Sequence, residues 1–154
     1  MSIASIARSF GASDEAKSLH PFLASPLGAD DAAIGSFLDT VYDNLFGRAP
    51  DAAGDAYWTA QIKQALQAGT ALGEVMIGII GGAQNSGAGQ DITTLMGKVA
   101  VNLEHVHEQQ AAGAWWSAAN DGAFAHTLID AVTADPQTVL VGIVNADRPT
   151  LSEA

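Results

Sequence analysis

The sequence contains no cysteine, which excludes disulfide scaffolds, thiolate zinc sites and thiol nucleophiles together. Positive charge is scarce: 6 Lys and Arg stand against 17 Asp and Glu, a formal net charge of −11. That balance argues against nucleic acid and anionic membranes as partners, because affinity for both rests on clustered Lys and Arg. Long apolar runs are missing as well. No segment approaches the roughly 18 consecutive apolar residues of a membrane span, so no membrane insertion is expected. The first ten residues carry Arg8 and no apolar h-region, and are not expected to act as a secretory signal. Two locations stay open: the cytoplasm, or the exterior by a route without a cleaved N-terminal signal.

What remains is rich in helix formers. Alanine makes up about a fifth of the 154 residues, and 48% of the chain is hydrophobic. Alanine surrenders no side-chain entropy in a helix, so helix is the least costly state for such a chain. The length suits one domain.

Apolar residues recur at helical spacing almost throughout, and nowhere with sustained strand alternation. Phe37, Val41 and Leu45 form one stripe beside Leu38 and Tyr42. Trp58, Ile62, Ala65 and Leu66 form another, and Leu72, Val75, Met76, Ile79 and Ile80 a third. Ile92, Leu95, Met96, Val99, Leu103 and Val106 make the longest, about four turns. Phe124, Leu128, Ile129 and Val132 precede a last stripe of Val139, Leu140, Ile143 and Val144. Asp135-Pro136 reads as an N-cap with proline at the first helical position, and Asp51 after Pro50 as a second cap. Gly81-Gly82 is expected to end the third helix, and Asn120-Asp121-Gly122 to form a turn. Short helical pieces are expected around Ile3–Phe10 and Glu15–Leu23, broken by Pro21 and Pro26. The whole reads as one helical domain, 1–154. A front hairpin module spans about 30–80, a glycine-rich waist 81–90, and back helices about 91–147, before a frayed tail at 148–154.

Residues 37–58 carry the most specific pattern: Tyr42, Gly47, Arg48, Pro50, Asp51, Gly54, Tyr57 and Trp58 at fixed spacing. This resembles the bacterial family known as domain of unknown function 4214: an aromatic helix, Gly-Arg-x-Pro-Asp-x-x-Gly, then Tyr-Trp and a second helix. Gly81-Gly82-Ala83-Gln84 stands where the family usually closes a third helix with Ser-x-Glu. Farther on, Leu95, Lys98 and Val99 resemble a helix that often follows, with Gly97 where Asn is common, and Val132–Asp135 resembles its closing segment. The resemblance implies an all-helical module of secreted, surface-layer-like or RTX-type proteins, distantly similar to phycobilisome linkers, and brings no catalytic residue. The residues themselves read as hairpin hardware. Gly47 permits a left-handed helix end, Pro50 and Asp51 start the next helix, and Arg48 bonds exposed carbonyls or a nearby Asp. Tyr42, Tyr57 and Trp58 pack the hairpin.

Other groupings invite chemistry. Asp39, Asp43, Asp51 and Asp55 crowd negative charge near one turn, which a calcium ion would relieve. His105 and His107, with Glu104 and Glu108, suggest a metal. On a helix, positions 105 and 107 point about 200° apart and cannot grip one ion together. His–Glu pairs there are expected to need partners from elsewhere, such as His20 or His126, so a solvated helix face is the simpler account. No haem fingerprint surrounds any of the four histidines. Trp115 and Trp116 point about 100° apart, so one is expected inside and the other over a groove, where an indole stacks on sugar or anchors an interface. Burial of both between helices is the plainer alternative. No Walker loop, dinucleotide fingerprint, zincin or nucleophile-elbow motif occurs.

The expectation is an all-α bundle of five to seven helices built from hairpins, with no enzymatic activity and no required cofactor. It would bind surface polysaccharide or protein subunits, including copies of itself, as part of a secreted or cell-surface bacterial protein. Trp115, Trp116, Arg48, Asp51 and Asp55 are its candidate contacts. The alternative is a cytoplasmic helical protein holding a ligand, metal or haem through its histidines.

Overall fold

The computed structural model describes residues 9, 12–69, 72–85, 89–113 and 118–146, with backbone only for 118–121. Among them the regular structure is seven α-helices and no strand. These are α1 (Asp14–Leu19), α2 (Asp31–Phe46), α3 (Ala52–Ala68), α4 (Leu72–Asn85), α5 (Gly89–Ala111), α6 (Ala118–Asp130) and α7 (Pro136–Ala146). The all-α class is therefore as the apolar spacing predicts. Between α1 and α2 run two short 3-10 turns, Pro21–Ala24 and Pro26–Gly28, each opened by a proline whose missing N–H is needed by no partner there. The expected Ile3–Phe10 piece and the 148–154 tail lie outside the described residues.

The chain divides into two compact units, Met1–Asp43 with Arg48–Ala88, and Asn44–Gly47 with Gly89–Ala154. The first has its core on α2, where Ile34, Phe37, Leu38, Val41 and Tyr42 are buried. Ile62 and Ala65 of α3 and Leu72, Val75 and Ile79 of α4 are buried too. Each large aliphatic side chain so removed from water contributes about 1.5–3 kcal/mol. His20 packs edge-on to Phe37 with centroids 5.0 Å apart, and this burial pushes its imidazole pKa below the ordinary value. Lys63 pairs with Asp31. Gly69, at φ 68°, ends α3 in the left-handed conformation.

Gly81-Gly82 does not end α4, which continues through both glycines to Asn85. The glycines of this helix serve a neighbour instead of a break. A Cβ on Gly78 would lie 3.2 Å from Trp58 Cη2, and one on Gly82 would lie 3.4 Å from Trp58 Cζ2. The indole thus rests against a helix bared of side chains one turn apart. Much of the expected waist is helix. Asn120-Asp121-Gly122 likewise belongs to α6 rather than to a turn, since three residues of weak helix propensity do not outweigh the apolar residues that follow.

In the second unit the longest apolar stripe faces the wrong way for the sequence reading. The buried face of α5 is Asp91, Thr94, Gly97, Lys98, Val101 and His105. Met96, Val99, Leu103 and Val106 are exposed. The cause is close helix packing. A Cβ on Gly97 would meet Val139 Cγ2 at 2.8 Å and Val132 Cγ1 at 3.0 Å, and one on Gly142 would meet Val101 Cγ2 at 2.7 Å. Each helix thus offers a glycine to a valine of the other, with Val132 from the preceding loop also against Gly97, and the register makes α5 and α7 run in the same direction. On α7 the buried residues are accordingly Gly142 and Ala146, while Leu140 and Val144 are exposed. Val101, Leu128, Val132 and Ala146 form the core, flanked by Phe124, Ile129, Val139 and Ile143. The start of α7 is built as expected: Asp135 Oδ1 accepts from Gln137 N at 2.9 Å, with Pro136 at the first helical position.

Candidate functional site

The turn between α2 and α3 follows its motif residue by residue. Gly47 takes φ 67°, a left-handed conformation that releases the chain from α2. Arg48 lays its guanidinium over the Tyr42 ring, 5.5 Å from the centroid, and donates to the Ala49 carbonyl at 2.9 Å. Asp51 Oδ1 accepts from Gly54 N at 2.7 Å, capping α3. Gly54 sits in a close contact, because a Cβ there would lie 3.3 Å from both the Tyr42 hydroxyl and Asp51 Oδ1. Asp55 is exposed in the first turn of α3, where a carboxylate complements the helix dipole. Arg48 and Asp51 thus both make contacts within the turn.

The aromatic pair that closes the motif leads to a concave surface. Tyr57 and Trp58 meet edge to face, with centroids 4.9 Å apart and planes at 79°. Trp58 is half-buried against α4, whereas Tyr57 is 56% exposed. Between α3 and α4 lies an open groove of about 570 Å³. Tyr57, Gln61, Gln64 and Ala68 follow one another along its α3 wall, and Glu74, Gly78 and Gly82 along its α4 wall. The i, i+4, i+7 spacing of Tyr57, Gln61 and Gln64 puts a ring and two carboxamides on one helix face. Glu74 is the one charged residue of the lining.

The other expected sites fare differently. Trp115 and Trp116 lie outside the described residues. Asp39, Asp43, Asp51 and Asp55 do not gather. The one group of three or more potential metal ligands among the described residues is Glu104, His107 and Glu108. The four aspartates expected to take calcium form no such group, and Asp51 serves as a helix cap. His105 and His107 diverge as their spacing requires: His105 is 3% exposed, with its ring 5.4 Å from that of Phe124, whereas His107 is at the surface. His126 faces Asp130, with Nδ1 3.6 Å from Oδ1.

The family described as domain of unknown function DUF4214 matches residues 7–87. The chain belongs to the DUF4214 family. The DUF4214 span takes in α1 to α4, the whole Tyr42–Trp58 motif and every residue that lines the groove. It begins well before residue 36 and stops short of α5, so the looser likeness of the back helices falls outside it. No curated protein and no solved structure matches the chain.

Within this DUF4214 chain, sequence reasoning singled out Tyr57 and Trp58 as packing residues but missed Gln61, Gln64 and Glu74. One signal was available. Gly78-x-x-x-Gly82 inside an apolar helix, following a helix that begins with Tyr-Trp, marks a place where an aromatic ring and a bare backbone meet.

Proposed function

We propose that the chain is a non-enzymatic binding module of a secreted or cell-surface bacterial protein, and that the groove between α3 and α4 takes a polysaccharide. The observation that carries this reading is the exposed Tyr57 ring in line with Gln61 and Gln64 along one groove wall. Sugars present apolar C–H faces that lie on aromatic rings and hydroxyls that both donate and accept. A carboxamide offers a donor and an acceptor, so it suits such hydroxyls. An open groove between two helices also lets a chain longer than the site pass through. The negative net charge favours neutral glycans over acidic ones.

The test is calorimetric titration of the whole chain with oligomers of glucose, of N-acetylglucosamine and of galacturonic acid. Binding of a neutral oligomer is expected, weakened about tenfold by Tyr57→Ala and by the Gln61→Ala/Gln64→Ala pair, a factor equal to about 1.4 kcal/mol. Absence of binding across the panel, or a Tyr57→Ala variant that binds as tightly as the parent, overturns the reading. Recovery of the protein from the medium or the cell exterior tests its location.

A further inference from the structure

We propose that Glu104, His107 and Glu108 form a binding site for a divalent transition-metal ion of the zinc class on the outer surface of α5. The three residues stand at i, i+3 and i+4, so they share one turn and one face of the helix. Each offers a ligand atom, and these atoms all lie within 4.8 Å of one another. His107 Nδ1 is 3.7 Å from Glu108 Oε1, and the His107 side chain is 72% exposed. No partner from another element is needed, contrary to the sequence expectation that His20 or His126 would have to complete such a set. Bonds of about 2.0–2.2 Å to nitrogen and oxygen bring three donors around one ion after modest side-chain rotation. His107 is exposed and the two glutamates are half-buried on the same turn, so the imidazole makes the larger share of that rotation.

Electrostatics favour a cation at this place for two reasons. Glu104 and Glu108 are like charges one turn apart, which repel. Glu108 lies in the last turn of α5, where the helix dipole is negative, and that turn holds no Lys or Arg. A bound dication answers both. The donor set fixes its class. Calcium and magnesium prefer six or more oxygens, whereas one imidazole with two carboxylates suits zinc, copper, nickel or manganese. Three protein ligands leave coordination positions for water. The site is separate from the groove between α3 and α4 and does not rest on the glycan reading.

The experiment uses the full chain, untagged and stripped with chelator, titrated calorimetrically with zinc chloride and separately with calcium chloride. One zinc per chain is expected, with calcium binding at least a hundredfold weaker. His107→Ala, and separately Glu104→Gln, should each weaken zinc at least tenfold, whereas His126→Ala should leave it unchanged. His107 and His126 are exposed and Glu104 is half-buried, and far-UV circular dichroism verifies that each variant keeps its helices. An NMR spectrum should show the His107 imidazole resonances shifting on zinc addition. Zinc binding that survives His107→Ala, equal affinity for calcium, or no zinc binding at all overturns the proposal.

Discussion

Lys98 Nζ donates a 3.0 Å hydrogen bond to the carbonyl of Asn44, a residue 54 positions earlier in the sequence. Asn44 stands in the last turn of α2, where carbonyls lack helical partners and the dipole is negative, so an ammonium satisfies both. Lys98 is only 5% exposed. Hydrogen bonds to charged groups contribute about 1.5–3 kcal/mol, and a carbonyl left without its partner is destabilising. Lys98→Met should therefore lower unfolding stability by about 1–3 kcal/mol. A urea denaturation curve with a lower midpoint and unchanged slope measures it, and an unchanged midpoint refutes it.

The glycine–valine contacts between α5 and α7 give a second prediction. Gly142→Ala places a Cβ 2.7 Å from Val101 Cγ2. Overpacking of this kind is destabilising by about 1–3 kcal/mol, against at most about 1 kcal/mol gained in helix propensity. The variant should be destabilised, and adding Val101→Ala should lose less than the sum of the two single changes. Strict additivity in that cycle contradicts the contact.

Within α4, glycines three residues apart should behave oppositely. Gly81 has open space around its Cβ position, so Gly81→Ala should stabilise the protein by up to about 1 kcal/mol through helix propensity. Gly78→Ala drives a Cβ to 3.2 Å from the Trp58 ring and should destabilise it. Thermal unfolding of the two variants side by side decides this. Stabilisation by both would mean that Trp58 does not rest on Gly78.

His20 should make stability depend on pH. Its folded-state pKa lies below the unfolded value because burial disfavours the imidazolium. Between those two values the unfolded chain binds more protons, so stability rises with pH. The contribution is present above about pH 6.5, the unfolded value, and is lost as pH falls from there toward the folded pKa. His20→Gln should flatten the stability profile between about pH 7.5 and 5.5 relative to the parent. Parallel profiles for the two proteins refute the role.

Helix class, the Asp51 and Asp135 caps and the Gly47 turn were legible because each depends on residues within a few positions of one another. The α5 face was not legible. Hydrophobic spacing selects Met96, Val99, Leu103 and Val106, yet Gly97 and Gly142 let two backbones approach so closely that the opposite face is buried. A glycine that admits a distant valine carries no signal in apolar periodicity. Gly81-Gly82 misled for the same reason, since two glycines read as a helix end until the ring beside them is known. The groove was half legible: Tyr57 and Trp58 stood out in the sequence. Gln61, Gln64 and Glu74 gained meaning only once α3 and α4 were laid side by side. The Glu104, His107 and Glu108 set was visible as spacing, but only the side-chain positions bring a ligand atom of each within 4.8 Å of the others.

The two notches between α5 and α7 also set how the chain tolerates changes of length. Deleting one residue between Pro136 and Val139 would turn the rest of α7 by about 100° and shift it by about 1.5 Å. That carries Gly142 away from Val101 and brings a side chain to the place where only a hydrogen fits. Additions after Ala146 leave both notches in register. A single-codon deletion in this stretch of α7 should therefore be poorly tolerated, although Leu140, Val141 and Val144 beside it are exposed.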